Sequence, residues 1–235
     1  MLPVLASAEA NPDFPKDCQD NPLNQFTSIG HYFRSIDRGL AVNLDPTTLE
    51  LMQHFQQNIA GKLAWVDGPT NPWRQVVIPL AWMSPTVLCA MLSLSSENLA
   101  YKYGQDHPRY TYLQGISFQF RNTALALLAK QISSLREREI PQIGNIDPSE
   151  IRYALASMLI LYNVELVSAE PIKWRMHLQA ARVILQWREQ ASSSSSRATS
   201  LNEIDTFLLY EHYYASVFAG LTTFNAADEL TRGQI

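Results

Sequence analysis

The sequence contains few cysteines, few glycines and little charge, and each shortage excludes a class of protein. Its 235 residues include two cysteines, Cys18 and Cys89, so neither a disulfide scaffold nor a multi-cysteine zinc site can form within this chain. Nine glycines disfavour architectures that are rich in tight turns. The net charge of -4 offers no basic excess of the kind that holds nucleic acid directly.

Long hydrophobic runs and catalytic motifs are also missing. The most apolar stretch, residues 76–92, is interrupted by Pro79, Ser84 and Pro85, and a spanning helix needs roughly 20 mostly apolar residues. The sequence has no Gly-rich phosphate loop, no GxSxG and no HExxH. We therefore expect a soluble intracellular chain without a membrane span, a metal ion or a cofactor. Cys89 lies on an apolar face, which favours a core residue over a nucleophile.

What the sequence does contain is a repeated signal for helix starts. A good N-cap residue directly followed by proline occurs at Asp45, Asn71, Ser84 and Asp147, and Ser200–Glu203 has the spacing of a capping box. Apolar residues between these starts recur every three or four positions, and no segment alternates with a period of two. These patterns predict an all-α fold: an irregular array of about seven to nine helices, in which helix pairs could also stack.

Proline and serine mark the predicted domain limits. Residues 1–24 contain four prolines and are interpreted as a flexible lead-in. Residues 25–235 are interpreted as a single all-α domain, with a Ser-rich loop at 191–200 between two helices.

Candidate functional side chains concentrate in the last third of the chain. Glu165 and His177 stand on consecutive predicted helices, and a carboxylate beside an imidazole could perform acid/base chemistry. The alternative is that Glu165 ties two helices together by accepting from His177 or the Trp174 indole. The acid/base candidates are Glu165, His177 and His212, and the candidates for lining a ligand pocket are Tyr162, Trp174 and Tyr210. Without a nucleophile, metal or cofactor motif beside them, we expect no catalytic residues.

Three blocks of this sequence resemble the fungal specific transcription factor domain. The first runs from Asn71 through Pro79 to the Ser84-Pro85 helix start, and the second joins Leu161-Tyr162-Asn163-Val164-Glu165 to Trp174-Arg175-Met176-His177-Leu178. The third begins at Phe207 and ends near Thr222. The resemblance extends over roughly residues 25 to 225. It departs from the family at Ala180, where the family usually has glycine.

The resemblance implies an all-α regulatory domain of a fungal zinc-cluster transcription factor, located in the nucleus. Such a domain would bind protein partners, a second copy of itself or a small-molecule effector, and it would not contact DNA directly. The family's six-cysteine DNA-binding module is missing here, and its domain usually continues beyond this length, so the sequence is either a fragment or a stand-alone protein. The second hypothesis is therefore a stand-alone cytoplasmic protein of fungal secondary metabolism, which reuses the scaffold as a small-molecule pocket or a cofactor-free enzyme.

Overall fold

A computed structural model of the chain describes residues 45–139, 147–168, 173–194 and 202–232. These ranges contain helices and no strands, which confirms the predicted all-α class. The helices are α1 (Pro46–His54), α2 (Ala60–Leu63), α3 (Ile78–Met83), α4 (Pro85–Ala100), α5 (Pro108–Glu139), α6 (Pro148–Val167), α7 (Lys173–Ser194) and α8 (Glu203–Arg232). A π turn at Phe55–Ile59 joins α1 to α2, and another at Trp73–Val77 runs into α3. When helical segments that follow one another without a break are counted as one helix, the described residues form seven helices.

The predicted N-caps form local hydrogen bonds at the positions given by the sequence. The side chains of Asp45, Asn71 and Asp147 accept from backbone N–H groups in the first turn at 2.9–3.0 Å. Ser84 leaves the helical region, with φ -137° and ψ 119°, and separates α3 from α4. The capping box at 200–203 was wrong, because Asn202 is the N-cap of α8 and accepts from the Asp205 N–H at 2.9 Å.

Helix α4 forms the centre of the core. Nearly all of its residues are buried, and it packs along α5, α6 and α1. Small serines allow this close approach, and their hydroxyls are satisfied locally or across the contact: Ser95 donates to the Met91 carbonyl at 2.9 Å, and Ser93 donates to the Ser117 carbonyl of α5 at 3.1 Å. Cys89 is fully buried here, and burial raises the pKa of its thiol to about 12, as expected for a core residue.

Helices α6, α7 and α8 form the part of the fold that positions the candidate site. Asp205 at the start of α8 accepts from Arg152 of α6 through two hydrogen bonds of 2.8 and 3.0 Å, and lies 3.1 Å from Arg188 of α7. Burial raises the pKa of Asp205, but the two guanidinium groups outweigh it and hold that pKa below its usual range. One carboxylate thus ties three helices together.

Several boundary and burial predictions need correction. The three- and four-residue spacing of apolar side chains predicts helix stripes that include Met83, Leu127 and Phe218. Met83 and Phe218 are instead largely exposed, and in α5 Leu128 is buried whereas Leu127 is only partly buried. The Ser-rich loop begins later than predicted, because α7 continues through Ser194. Residues 195–200 and the predicted lead-in 1–24 lie outside the described residues. In the described part of the chain, no helix is long and apolar enough to cross a bilayer.

Candidate functional site

A groove of about 1010 Å³ opens between the end of α2, α6, α7 and α8. Aromatic rings form most of its walls, and they come from segments that are far apart in sequence. They are Trp65, Trp73, Tyr162, Trp174, Tyr214 and Phe218. The volume lies at the upper end of the range for small-molecule sites in proteins, which are typically concave, aromatic and provided with a few polar groups.

Buried side chains form the inner wall of the groove. Tyr162 of α6 meets Trp174 of α7 edge to face, with 5.9 Å between ring centroids, and both side chains are buried. Leu178 and Ala215 complete this cluster. On its outer side, the Arg175 guanidinium lies 4.9 Å from the centroid of the Trp174 ring, which is a cation–π distance.

The outer rim of the groove leaves large aromatic rings in contact with water. Trp65 is 66% exposed, although it packs against Tyr214 at 5.1 Å and stacks on Phe218 at 6.2 Å between ring centroids. Tyr214 and Phe218 are themselves exposed on α8. A contiguous exposed aromatic surface of this kind is typical of a site that another molecule covers.

Glu211 places a carboxyl group inside the groove. Burial raises the pKa of Glu211 to about 7, and the nearby Trp73 indole N–H acts in the opposite direction. The Trp73 indole N–H acts on the pKa of this carboxyl group, but the two groups do not form a hydrogen bond of standard geometry. Lys62 and Arg175 also line the groove. Glu211 therefore changes its charge near neutral pH, at the place where a ligand would bind.

The structure brings Glu165 and His177 together, away from the groove lining. His177 Nε2 lies 4.0 Å from Glu165 Oε1, and Arg121 Nη1 of α5 lies 3.7 Å from Glu165 Oε2. Both members of the pair are buried, and burial lowers the pKa of His177 to about 4. The imidazole is therefore neutral at neutral pH and forms a polar contact between α6 and α7.

His212 and Tyr210 of α8 are not part of the inner wall of the groove. His212 Nε2 lies 3.3 Å from the Leu178 carbonyl, which fixes the ring against α7. Burial lowers the pKa of His212, and the Leu178 carbonyl partly opposes this. Tyr210 is 57% exposed and stacks on Tyr214 at 6.4 Å. Of the six sequence candidates, Tyr162 and Trp174 line the groove, whereas Glu165, His177, His212 and Tyr210 do not.

Sequence reasoning did not single out several residues of the groove as site candidates, among them Glu211, Trp65, Trp73, Tyr214 and Phe218. Glu211 gave a signal, since it is an acidic residue on the apolar stripe of the last helix. Trp65 gave none, because it follows the end of α2 and has no helical period to place it. Among the described residues, no group of three or more histidine, cysteine, aspartate or glutamate side chains could hold a metal ion.

The family described as the fungal specific transcription factor domain matches residues 50–229, more than half of the chain. The chain belongs to this family. The match includes the whole groove, from Lys62 to Ala219, and begins later than residue 25, where the sequence comparison placed the resemblance. No curated protein and no solved structure matches the chain significantly. Membership in the fungal specific transcription factor domain family indicates a regulatory role.

Proposed function

We propose that this fungal specific transcription factor domain acts in the nucleus by binding a small apolar effector in the aromatic groove, without contacting DNA itself. The observation that carries the proposal is the groove of about 1010 Å³, which combines a buried inner wall with an exposed aromatic rim. Its size suits a small molecule, and its polar groups are few, as in ligand sites that fix the orientation of an apolar compound.

The contacts of the groove suggest how binding would reach the rest of the domain. Tyr214 and Phe218 belong to α8, Tyr162 belongs to α6, and Trp65 lies beyond α2. A ligand that packs against these rings would hold the three segments in one arrangement. A ligand shifts the equilibrium between two states of a domain only as far as its affinities for the two states differ. A contact that the ligand makes in one arrangement of these segments and loses in another would provide this difference.

The acid/base alternative has less support from the geometry. Glu165 and His177 contact each other at 4.0 Å, but they do not line the groove where a substrate would bind. A candidate acid or base must come within hydrogen-bond reach of the substrate.

Binding of the neutral dye Nile red tests the proposal. We expect saturable binding of one dye per chain, and Trp65→Ala should weaken it several-fold because the dye loses an aromatic wall. Tyr112→Ala is the matched control, since Tyr112 is an exposed aromatic residue on α5 that does not line the groove. Equal loss of affinity in both variants, or no saturable binding, would contradict the proposal.

A reporter assay tests the regulatory part separately. The domain is fused to an unrelated DNA-binding module, and transcription of a reporter gene is measured in a fungal host. We expect Trp65→Ala to change the reporter output at equal protein level and Tyr112→Ala to leave it unchanged. Identical reporter output from the two variants would show that the groove takes no part in regulation.

A further inference from the structure

The described charges of the groove do not neutralise one another. Arg175 is engaged with the face of Trp174 at 4.9 Å, and Lys62 is exposed at the rim, where water and salt screen its charge. Neither cation acts on the pKa of Glu211, which responds to burial and to the Trp73 indole. Glu211 therefore supplies the one carboxyl group among the described residues that line the groove, and a ligand there meets it together with the Arg175 guanidinium.

Aromatic side chains line the same groove as that carboxylate. Tyr214 stands three residues after Glu211 and Phe218 seven residues after it, so all three share one face of α8. Trp65 packs on both of these rings, and Trp73 directs its indole N–H toward the carboxyl group. The faces of such rings attract cations, and they do so more strongly where the cation loses water on binding.

We infer that the effector of this groove is an apolar molecule that carries a cationic nitrogen, which is held between the Glu211 carboxylate and the faces of neighbouring aromatic rings. The inference rests on the proposed function, because it names the class of molecule that the same groove binds. A neutral ligand gives this carboxyl group no counter-charge, so the group stays protonated, whereas an anionic ligand meets a like charge once the carboxyl group ionises.

The inference also predicts how binding depends on pH. Glu211 is protonated in about half of the molecules near pH 7 when the groove is empty. A bound cation favours the ionised carboxylate, so binding releases a proton and tightens as the pH rises. The other titratable groups that line the groove are Lys62, Arg175, Tyr162 and Tyr214, and burial raises the pKa of Tyr162 from a normal value of 10.0.

Three probes that share the same naphthalene ring system distinguish the possible ligand classes. They are 2-naphthylmethyl-trimethylammonium, which is cationic at every pH, 2-naphthylmethanol, which is neutral, and 2-naphthylacetate, which is anionic. Affinities are measured by calorimetry with the full chain at pH 8 and pH 5.5. At pH 8 we expect the cation to bind about tenfold more tightly than the alcohol, a factor worth about 1.4 kcal/mol. The preference should shrink at pH 5.5.

Two glutamine variants assign the preference to one carboxylate. Glu211→Gln should abolish the preference for the cation over the alcohol. Glu203→Gln, at the exposed start of the same helix, should retain the preference and controls for the change in net charge. Equal binding of cation and alcohol, preference for the anion, or an unchanged preference in Glu211→Gln would overturn the inference and leave the proposed function standing. Failure of all three probes to bind would overturn both.

Discussion

Glu211 makes the stability of the domain depend on pH in a direction opposite to that of an ordinary surface carboxylate. Its pKa is about 7 in the folded chain, above the usual value of 4.5 for a glutamate side chain. The folded state therefore binds more protons than the unfolded state between about pH 4.5 and 7, and the free energy of unfolding falls as the pH rises through this window.

The variant Glu211→Gln removes this penalty. We expect it to match the original chain near pH 4.5 and to exceed its melting temperature at pH 8 by about 2–4 °C, the shift expected for about 1 kcal/mol in a domain of this size. Water at the mouth of the groove partly solvates the Glu211 carboxylate, which limits the gain in melting temperature. Thermal unfolding at both pH values measures it, with Glu203→Gln as the control. A variant less stable than the original at pH 8 would contradict the role given to burial.

We expect Trp174 and His177 to act mainly in packing α7 against α6. Trp174→Ala should lower the free energy of unfolding by about 3–5 kcal/mol, since a buried ring in contact with Tyr162 is lost. His177→Ala should lower it by about 0.5–3 kcal/mol. Met176→Ala, an exposed position between them, should change it by less than about 0.5 kcal/mol. Denaturant unfolding measures all three, and a His177→Ala chain as stable as Met176→Ala would argue against the packing role.

At the scale of the element, the segment after α2 is held by a polar cluster that also places Trp65. Asp67 forms an ion pair with Arg74, and both Asp67 and the Ala60 carbonyl accept from the Asn71 side chain at 2.9 Å. Asp67 is exposed, yet the hydrogen bonds from Arg74 and Asn71 lower its pKa to about 2. Gly61 provides the room for this cluster, because a Cβ atom there would lie 2.6 Å from Asp67 Oδ2.

Two glycine substitutions test this arrangement. Gly115→Ala in α5, where a Cβ atom meets nothing within 4 Å, should stabilise the domain by about 0.4–1 kcal/mol. Gly61→Ala should instead destabilise it by about 1 kcal/mol, since crowding displaces Asp67 and outweighs the same gain in backbone entropy. It should also weaken Nile red binding through Trp65. Denaturant unfolding of both variants gives the comparison, and equal stabilisation by the two would show that Asp67 moves without cost.

Helices and their starts were predictable because their signals are local. Asp45, Asn71 and Asp147 hydrogen-bond to N–H groups two or three residues away, so the pattern that predicts the cap also contains its partners. Tyr162 and Trp174 were predicted as pocket candidates because they are large aromatic residues on apolar helices.

The groove itself was not predictable, because its parts are joined by packing between distant segments. Trp65 meets Tyr214 and Phe218 across some 150 residues of sequence, and no local pattern encodes that contact. For the same reason, Phe218 lies on a predicted apolar stripe of the last helix although it is exposed and lines the open groove. The position of Glu211 on an apolar stripe was visible, but its environment depends on Trp73, which enters from another helix.

At the scale of the whole molecule, the charge balance bears on direct DNA binding. The net charge is -4, and several arginines are engaged in ion pairs, among them Arg74, Arg152 and Arg188. We expect no sequence-specific DNA binding by this chain alone at physiological salt, because such binding depends on cations that neutralise phosphates. Electrophoretic mobility shift at about 0.15 M salt tests this. A complex that survives there and discriminates between sequences would contradict it.

The π turn at Trp73–Val77 determines which way Trp73 faces relative to α3. A π turn holds one residue more than an α turn, so it is equivalent to a single inserted codon in an otherwise regular helix. Removing that residue would restore the α register and rotate Trp73 by about 100° relative to the helix that follows, away from Glu211. Gain or loss of one residue at this turn would therefore change how Trp73 meets the groove, with every aromatic side chain of the groove retained.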